Sequence, residues 1–126
     1  MPRFACTLRL SRILGAAVLG AAVLASVTGA GAADGYAGTW AADLSKCKTP
    51  QSDPDAPLVL TAKGYDQHEA HCRFKGLKAA GAGEWKATAE CSVEGDAQSI
   101  AVDLTVSGDT LTLTEDGTAR DLLRCP

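Results

Sequence analysis

From residue 36 onward the chain is a series of short runs in which apolar and polar side chains alternate, with a turn signal between each run and the next. A period of two puts one face of a segment inside and the other in water, which is the signature of a half-buried strand. The clearest case sets Trp85, Ala87, Ala89, Cys91 and Val93 against Lys86, Thr88, Glu90 and Ser92. Ile100, Val102, Leu104 and Val106 repeat the pattern, and so do Ala70, Cys72 and Phe74. The punctuation is Lys63-Gly64, Glu94-Gly95-Asp96, Ser107-Gly108-Asp109 and Glu115-Asp116-Gly117, residues that supply turn geometry at low cost.

Strands are therefore expected over residues 36–42, 58–62, 65–75, 85–93, 100–106, 110–114 and 120–125. Residues 46–57 carry Pro50, Pro54 and Pro57 and read as a loop. Residues 76–83 read as a flexible Gly/Ala connection, with one helical turn over 75–82 as the alternative. No segment shows a 3.6-residue period. The expectation is an all-β fold, a small antiparallel meander of about seven strands closed as a barrel or stacked as a sandwich.

The first third of the chain reads differently. Arg3, Arg9 and Arg12 precede a 15-residue apolar run, residues 13–27, and then Gly29-Ala30-Gly31-Ala32-Ala33. A basic start, a short apolar stretch and small residues in an Ala-x-Ala arrangement form a Sec-type signal peptide. The run is shorter than the roughly 20 residues that span a bilayer. The expected division is a signal peptide at 1–32 and one domain at 33–126, delivered to the periplasm or secreted. Beyond the leader lie nine Lys and Arg against 15 Asp and Glu, a net charge of −6. That balance argues against nucleic acid and anionic membranes as partners and is compatible with a cationic protein partner.

Cys6 lies in the leader, and Cys47, Cys72, Cys91 and Cys125 remain. Four cysteines in a short exported domain predict two disulfides. With five aromatic residues after the leader, a core this small gains from staples worth about 2–4 kcal/mol each. The connectivity has rival solutions. Gly38-Thr39-Trp40 leading to Cys47 is echoed by Gly83-Glu84-Trp85 leading to Cys91, which would pair Cys47 with Cys72 and Cys91 with Cys125. A Cys72–Cys91 bridge across adjacent strands competes, because both residues fall on an inward face.

Catalytic apparatus is not visible. His68 and His71, three apart in one expected strand, point to opposite sides. Glu69 and His71 share a face and offer at most a weak metal contact. No zinc-type spacing is present. The pairs Asp53/Asp55 and Glu115/Asp116 lack the spacing of a calcium loop and read as turn chemistry. There is no Gly-x-Ser-x-Gly and no phosphate-cradling glycine loop. The expectation is a protein that is not an enzyme and that needs no metal or cofactor. Trp40 and Trp85 read as core.

Gly38-Thr39-Trp40 is similar to the first strand of lipocalin-like barrels. Together with a leader, a following cysteine and a strand meander, it also resembles the small periplasmic metalloprotease-inhibitor family of bacteria. The set Trp40, Cys47, Tyr65, Cys72, Trp85, Cys91 and Arg124-Cys125 resembles, across the whole domain, short exported bacterial proteins without an assigned activity. A stapled, acidic β-domain without visible catalytic apparatus points to a non-catalytic binding module or hydrolase inhibitor of the bacterial envelope, with another envelope protein or a foreign protein as partner. A small-ligand carrier barrel, or a structural or stress component of the envelope, is the alternative. The inhibitor family would place its inhibitory segment at residues 34–37, where Asp34-Gly35-Tyr36-Ala37 shows no distinctive match.

Overall fold

The computed structural model describes residues 35–126, so the leader reading falls outside the described residues. Eight strands follow in order: β1 (Gly38–Ala41), β2 (Leu58–Thr61), β3 (Gly64–Gln67), β4 (Ala70–Gly81), β5 (Glu84–Val93), β6 (Asp96–Ser107), β7 (Thr110–Glu115) and β8 (Thr118–Arg124). Each pairs antiparallel with the next, and β8 returns to β1 through Trp40 opposite Arg124, so the meander is a closed barrel. Closure removes the open sheet edges that a sandwich would leave to manage.

The alternating residues do what their period requires. Leu58, Leu60, Ala89, Val102, Leu104, Leu111, Leu113 and Leu122 are buried inside with Trp40 and Tyr65. Lys75, Lys86, Glu90, Asp103 and Asp121 stand outside.

One expected strand is in fact two. Residues 65–75 divide into β3 and β4 because His68 takes a left-handed backbone, φ 52°, and the chain reverses there. Gln51 stabilises the reversal by accepting the His68 backbone N–H at 2.8 Å. The expected Gly/Ala connection, with its alternative helical turn, is the second half of β4. It stays paired to β5 through two register shifts, one between Lys75 and Lys78 and one between Ala79 and Gly81. Gly76 takes φ +63° between the first pair. Bulges absorb the extra residues that made this stretch look irregular.

Both disulfides are formed, between Cys72 and Cys91 and between Cys47 and Cys125. The echo pairing is thereby overturned. Cys72 and Cys91 lie opposite each other on β4 and β5, so each is the nearest thiol the other can meet. Cys47 comes instead to Cys125, 78 residues away in sequence, because closure brings the end of β8 beside β1. Two disulfides in so small a domain fit an oxidising compartment. No helix among the described residues is long and apolar enough to cross a membrane.

Gly64 shows how tightly the sheet closes at the β2–β3 hairpin. A Cβ there would lie 1.9 Å from the Cys72 carbonyl oxygen, so no side chain fits without moving β4.

Candidate functional site: the open mouth of the barrel

A meander of even hairpins sorts its turns between two ends. The β2–β3, β4–β5 and β6–β7 turns sit at one end, where the chain also enters β1. The β3–β4, β5–β6 and β7–β8 turns sit at the other, with the long β1–β2 connection, residues 42–57, packed against the β3–β4 turn through Gln51.

The first end is sealed. Tyr36, fully buried, lies across it with its ring edge-on to Trp85 at 5.0 Å and to Phe74 at 6.3 Å. Trp40 donates its indole N–H to the Tyr36 carbonyl at 2.8 Å. The Arg124 guanidinium sits over the Trp40 ring, 4.1 Å from its centroid, and donates to the carbonyls of Gly35 (2.9 Å) and Ala37 (3.4 Å). The Gly-x-Trp segment is thus the anchor of a plug, and its Trp is core, as expected. Gly35 is required beneath it, since a Cβ would stand 2.7 Å from the Trp85 ring.

The second end is open. A cavity of about 530 Å³ is lined by Tyr65, Gln67, Ala70, Val93, Gln98, Ile100, Glu115, Asp116 and Arg120. That volume lies in the range of small-ligand sites. Ile100 and Val93 are inward residues at the β5–β6 end of their strands and form an apolar wall. Glu115 continues the inward row Leu111, Leu113, and Arg120 begins the inward row that runs through Leu122 to Arg124. Two charged side chains are therefore turned toward the inside of the barrel at its rim.

Tyr65 joins them. Its hydroxyl donates to Glu115 Oε1 at 2.5 Å. Burial, reinforced by the Glu115 carboxylate, holds the Tyr65 phenol neutral well above its ordinary ionisation range. Arg120 Nη2 stands 3.7 Å from Glu115 Oε2, an ion contact but longer than a hydrogen bond. Arg120 Nε is buried and has no partner among the described residues. Asp116 is turned away, accepting the Ala101 backbone N–H at 2.7 Å, so it ties the β7–β8 turn to β6.

A larger depression, about 620 Å³, runs along the outer surface of β4, β5 and β6 past Lys75, Lys78 and Lys86. It is shallow, and two of its lysines are already paired, Lys75 with Glu90 (3.8 Å) and Lys86 with Asp103 (3.2 Å). It does not bring unspent polar groups together as the mouth does.

The residues singled out in the sequence lie elsewhere. His71 pairs with Asp66 on the outer face, Nδ1 to Oδ1 2.8 Å. His68 Nδ1 is 3.1 Å from the Gln51 carbonyl oxygen. The two histidines occupy a turn and a separate strand rather than opposite faces of one strand. Asp55 pairs with Lys46 at 2.7 Å, and Asp53 accepts the Asp55 backbone N–H. Among the described residues no three His, Cys, Asp or Glu side chains converge on a metal position. Glu115, read from the sequence as turn chemistry, is instead the centre of the mouth. The signal that finds it is parity: Glu115 falls two residues after Leu113 on an inward face, and Arg120 two before Leu122.

Comparison with family models, curated proteins and solved structures finds no match to this chain.

Proposed function

We propose that the chain is a non-catalytic binding module of the periplasm or the extracellular space, and that it binds through the open mouth. The observation that supports this most is the contrast within one rigid shell: a packed, stapled interior sealed at one end, and at the other a cavity where Tyr65, Glu115 and Arg120 meet an apolar wall. Fixed polar groups around an apolar concavity are what a recognition site needs. The outward face is charged and the inward face apolar, the reverse of a membrane barrel.

In the inhibitor form of this reading, the mouth receives a side chain of an envelope or foreign hydrolase. A small-ligand carrier is the second reading, favoured by the cavity's volume. The filled interior confines such a ligand to the mouth, since Trp40, Tyr65 and the buried leucines occupy the space a deeper carrier would use.

A panel of lysozymes and metalloproteases tests the inhibitor form, with the wild type and an Ile100→Trp variant that plugs the mouth. The expected result is inhibition of at least one enzyme, weakened roughly tenfold or more by the plug, as for loss of an interface anchor. Inhibition untouched by Ile100→Trp, with folding verified by circular dichroism, would move the site off the mouth. A blank panel would remove the inhibitor form.

A further inference from the structure

Two of the polar groups at the mouth, Arg120 and Glu115, set a donor beside an acceptor, each with hydrogen-bonding capacity left over. Glu115 Oε1 is committed to the Tyr65 hydroxyl at 2.5 Å, which fixes the carboxylate and leaves Oε2 facing Arg120. Arg120 Nη2 is 3.7 Å from that oxygen, so neither group satisfies the other. A guanidinium only donates and a carboxylate only accepts. What completes such a pair is a group that accepts on one side and donates on the other, within the span of one functional group.

A primary carboxamide has that arrangement. Its C=O takes an N–H from Arg120 while its syn N–H gives to Glu115 Oε2. A carboxylate ligand would set an acceptor against Glu115. An ammonium or guanidinium would set its charge against Arg120. A trans secondary amide points its C=O and N–H in opposite directions and cannot bridge the two. The turns at the same end carry Glu69, Glu94 and Asp96, which further disfavour an anion. Val93 and Ile100 beside the pair provide a wall for a short apolar stem.

We propose that the mouth selects a primary carboxamide on a short apolar stem, the chemistry of a glutamine side chain or of a small free amide. This rests on the reading of the mouth as the binding site and names its ligand class.

Three probes of nearly one shape test it: isovaleramide, isovalerate and isoamylamine, each titrated into the oxidised, leader-free protein. Binding is followed by NMR shifts of the Val93 and Ile100 methyls and the Arg120 side-chain N–H groups. Isovaleramide is expected to bind with a Kd on the order of millimolar, as suits so small a ligand. The other two are expected to bind roughly tenfold more weakly or worse, because each leaves a charged group of the pair opposed. Arg120→Met is expected to abolish the isovaleramide shifts.

Glu115→Gln gives the sharper outcome. With its carbonyl held by Tyr65, the introduced amide N–H sits beside Arg120 as a second donor, and preference swings to isovalerate. Retained peak dispersion shows that each variant is folded. N-acetylglutamine methylamide assigns the source. Shifts equal to those of isovaleramide place the carboxamide on a protein partner, and shifts with isovaleramide alone place it on a free small molecule.

Shifts at the mouth with isovalerate or isoamylamine but not isovaleramide would overturn the ligand class and leave the mouth as a binding site. No shift at the mouth with any of the three would overturn both.

Discussion

The two ends of this barrel are built from similar parts and use them differently. Each has a tyrosine and an inward arginine of β8, Tyr36 with Arg124 at one end and Tyr65 with Arg120 at the other. Arg124 lies on the Trp40 ring and donates to two backbone carbonyls. Arg120 faces one carboxylate at 3.7 Å and leaves Nε without a partner. A guanidinium whose donors are used within the fold is an architectural element. One whose donors remain free beside a cavity has the means to meet something else.

The largest expected effect concerns the staple that closes the barrel seam. Replacing Cys47 and Cys125 together by Ala opens a 78-residue loop and should cost about 4–5 kcal/mol on chain entropy. Replacing Cys72 and Cys91 opens a 19-residue loop, about 3 kcal/mol by the same reasoning, plus the packing of two buried sulfurs. Urea denaturation of both double variants reads the difference. Similar losses would show that packing around the inner bridge compensates for its shorter loop.

Next in size is the contrast between plug and wall. Trp40→Ala at the sealed end should lose about 3–5 kcal/mol. Ile100→Ala, on a half-buried residue of the mouth, should lose roughly 1–2 kcal/mol. Equal losses in denaturant titration would mean that the mouth is as structural as the plug.

The tyrosines give the smallest effect and the one most sensitive to chemistry. Tyr36 carries a buried hydroxyl with no partner among the described residues, so Tyr36→Phe should be neutral or stabilise by up to about 1 kcal/mol. Tyr65→Phe gives up a hydrogen bond to a carboxylate and should cost about 1–2 kcal/mol. Both phenols are held neutral above their ordinary range, Tyr36 by burial and Tyr65 by burial and then by Glu115. The unfolded chain releases these protons near pH 10. Stability is therefore full below that pH and falls as pH rises past it. Tyrosinate absorbance should appear near pH 10 in urea and at higher pH in the folded protein.

Much of the barrel was legible because parity is local. The inward rows of β5, β6 and β7 follow from alternation alone, and the turns from Gly and Asp. The division of residues 65–75 was not legible, because no Gly or Pro marks the reversal at His68. What holds it is Gln51, 17 residues away. The Cys72–Cys91 bridge was readable from its inward parity and is formed, whereas Cys47–Cys125 followed only by elimination, since closure is what brings β8 to β1. The mouth lay in between. Its parity was readable at Glu115 and Arg120, but an acid next to Asp-Gly reads first as a turn. That Tyr65 meets Glu115, 50 residues apart, needs the barrel to be known.

The asymmetry of the ends is most directly tested by NMR with a neutral nitroxide in solution, which broadens signals it can approach. The Val93 and Ile100 methyls at the mouth should broaden, while the ring signals of Tyr36 and Trp40 at the plug stay sharp. Equal broadening at both ends, or sharp methyls at Val93 and Ile100, would contradict a barrel with one sealed end and one open site.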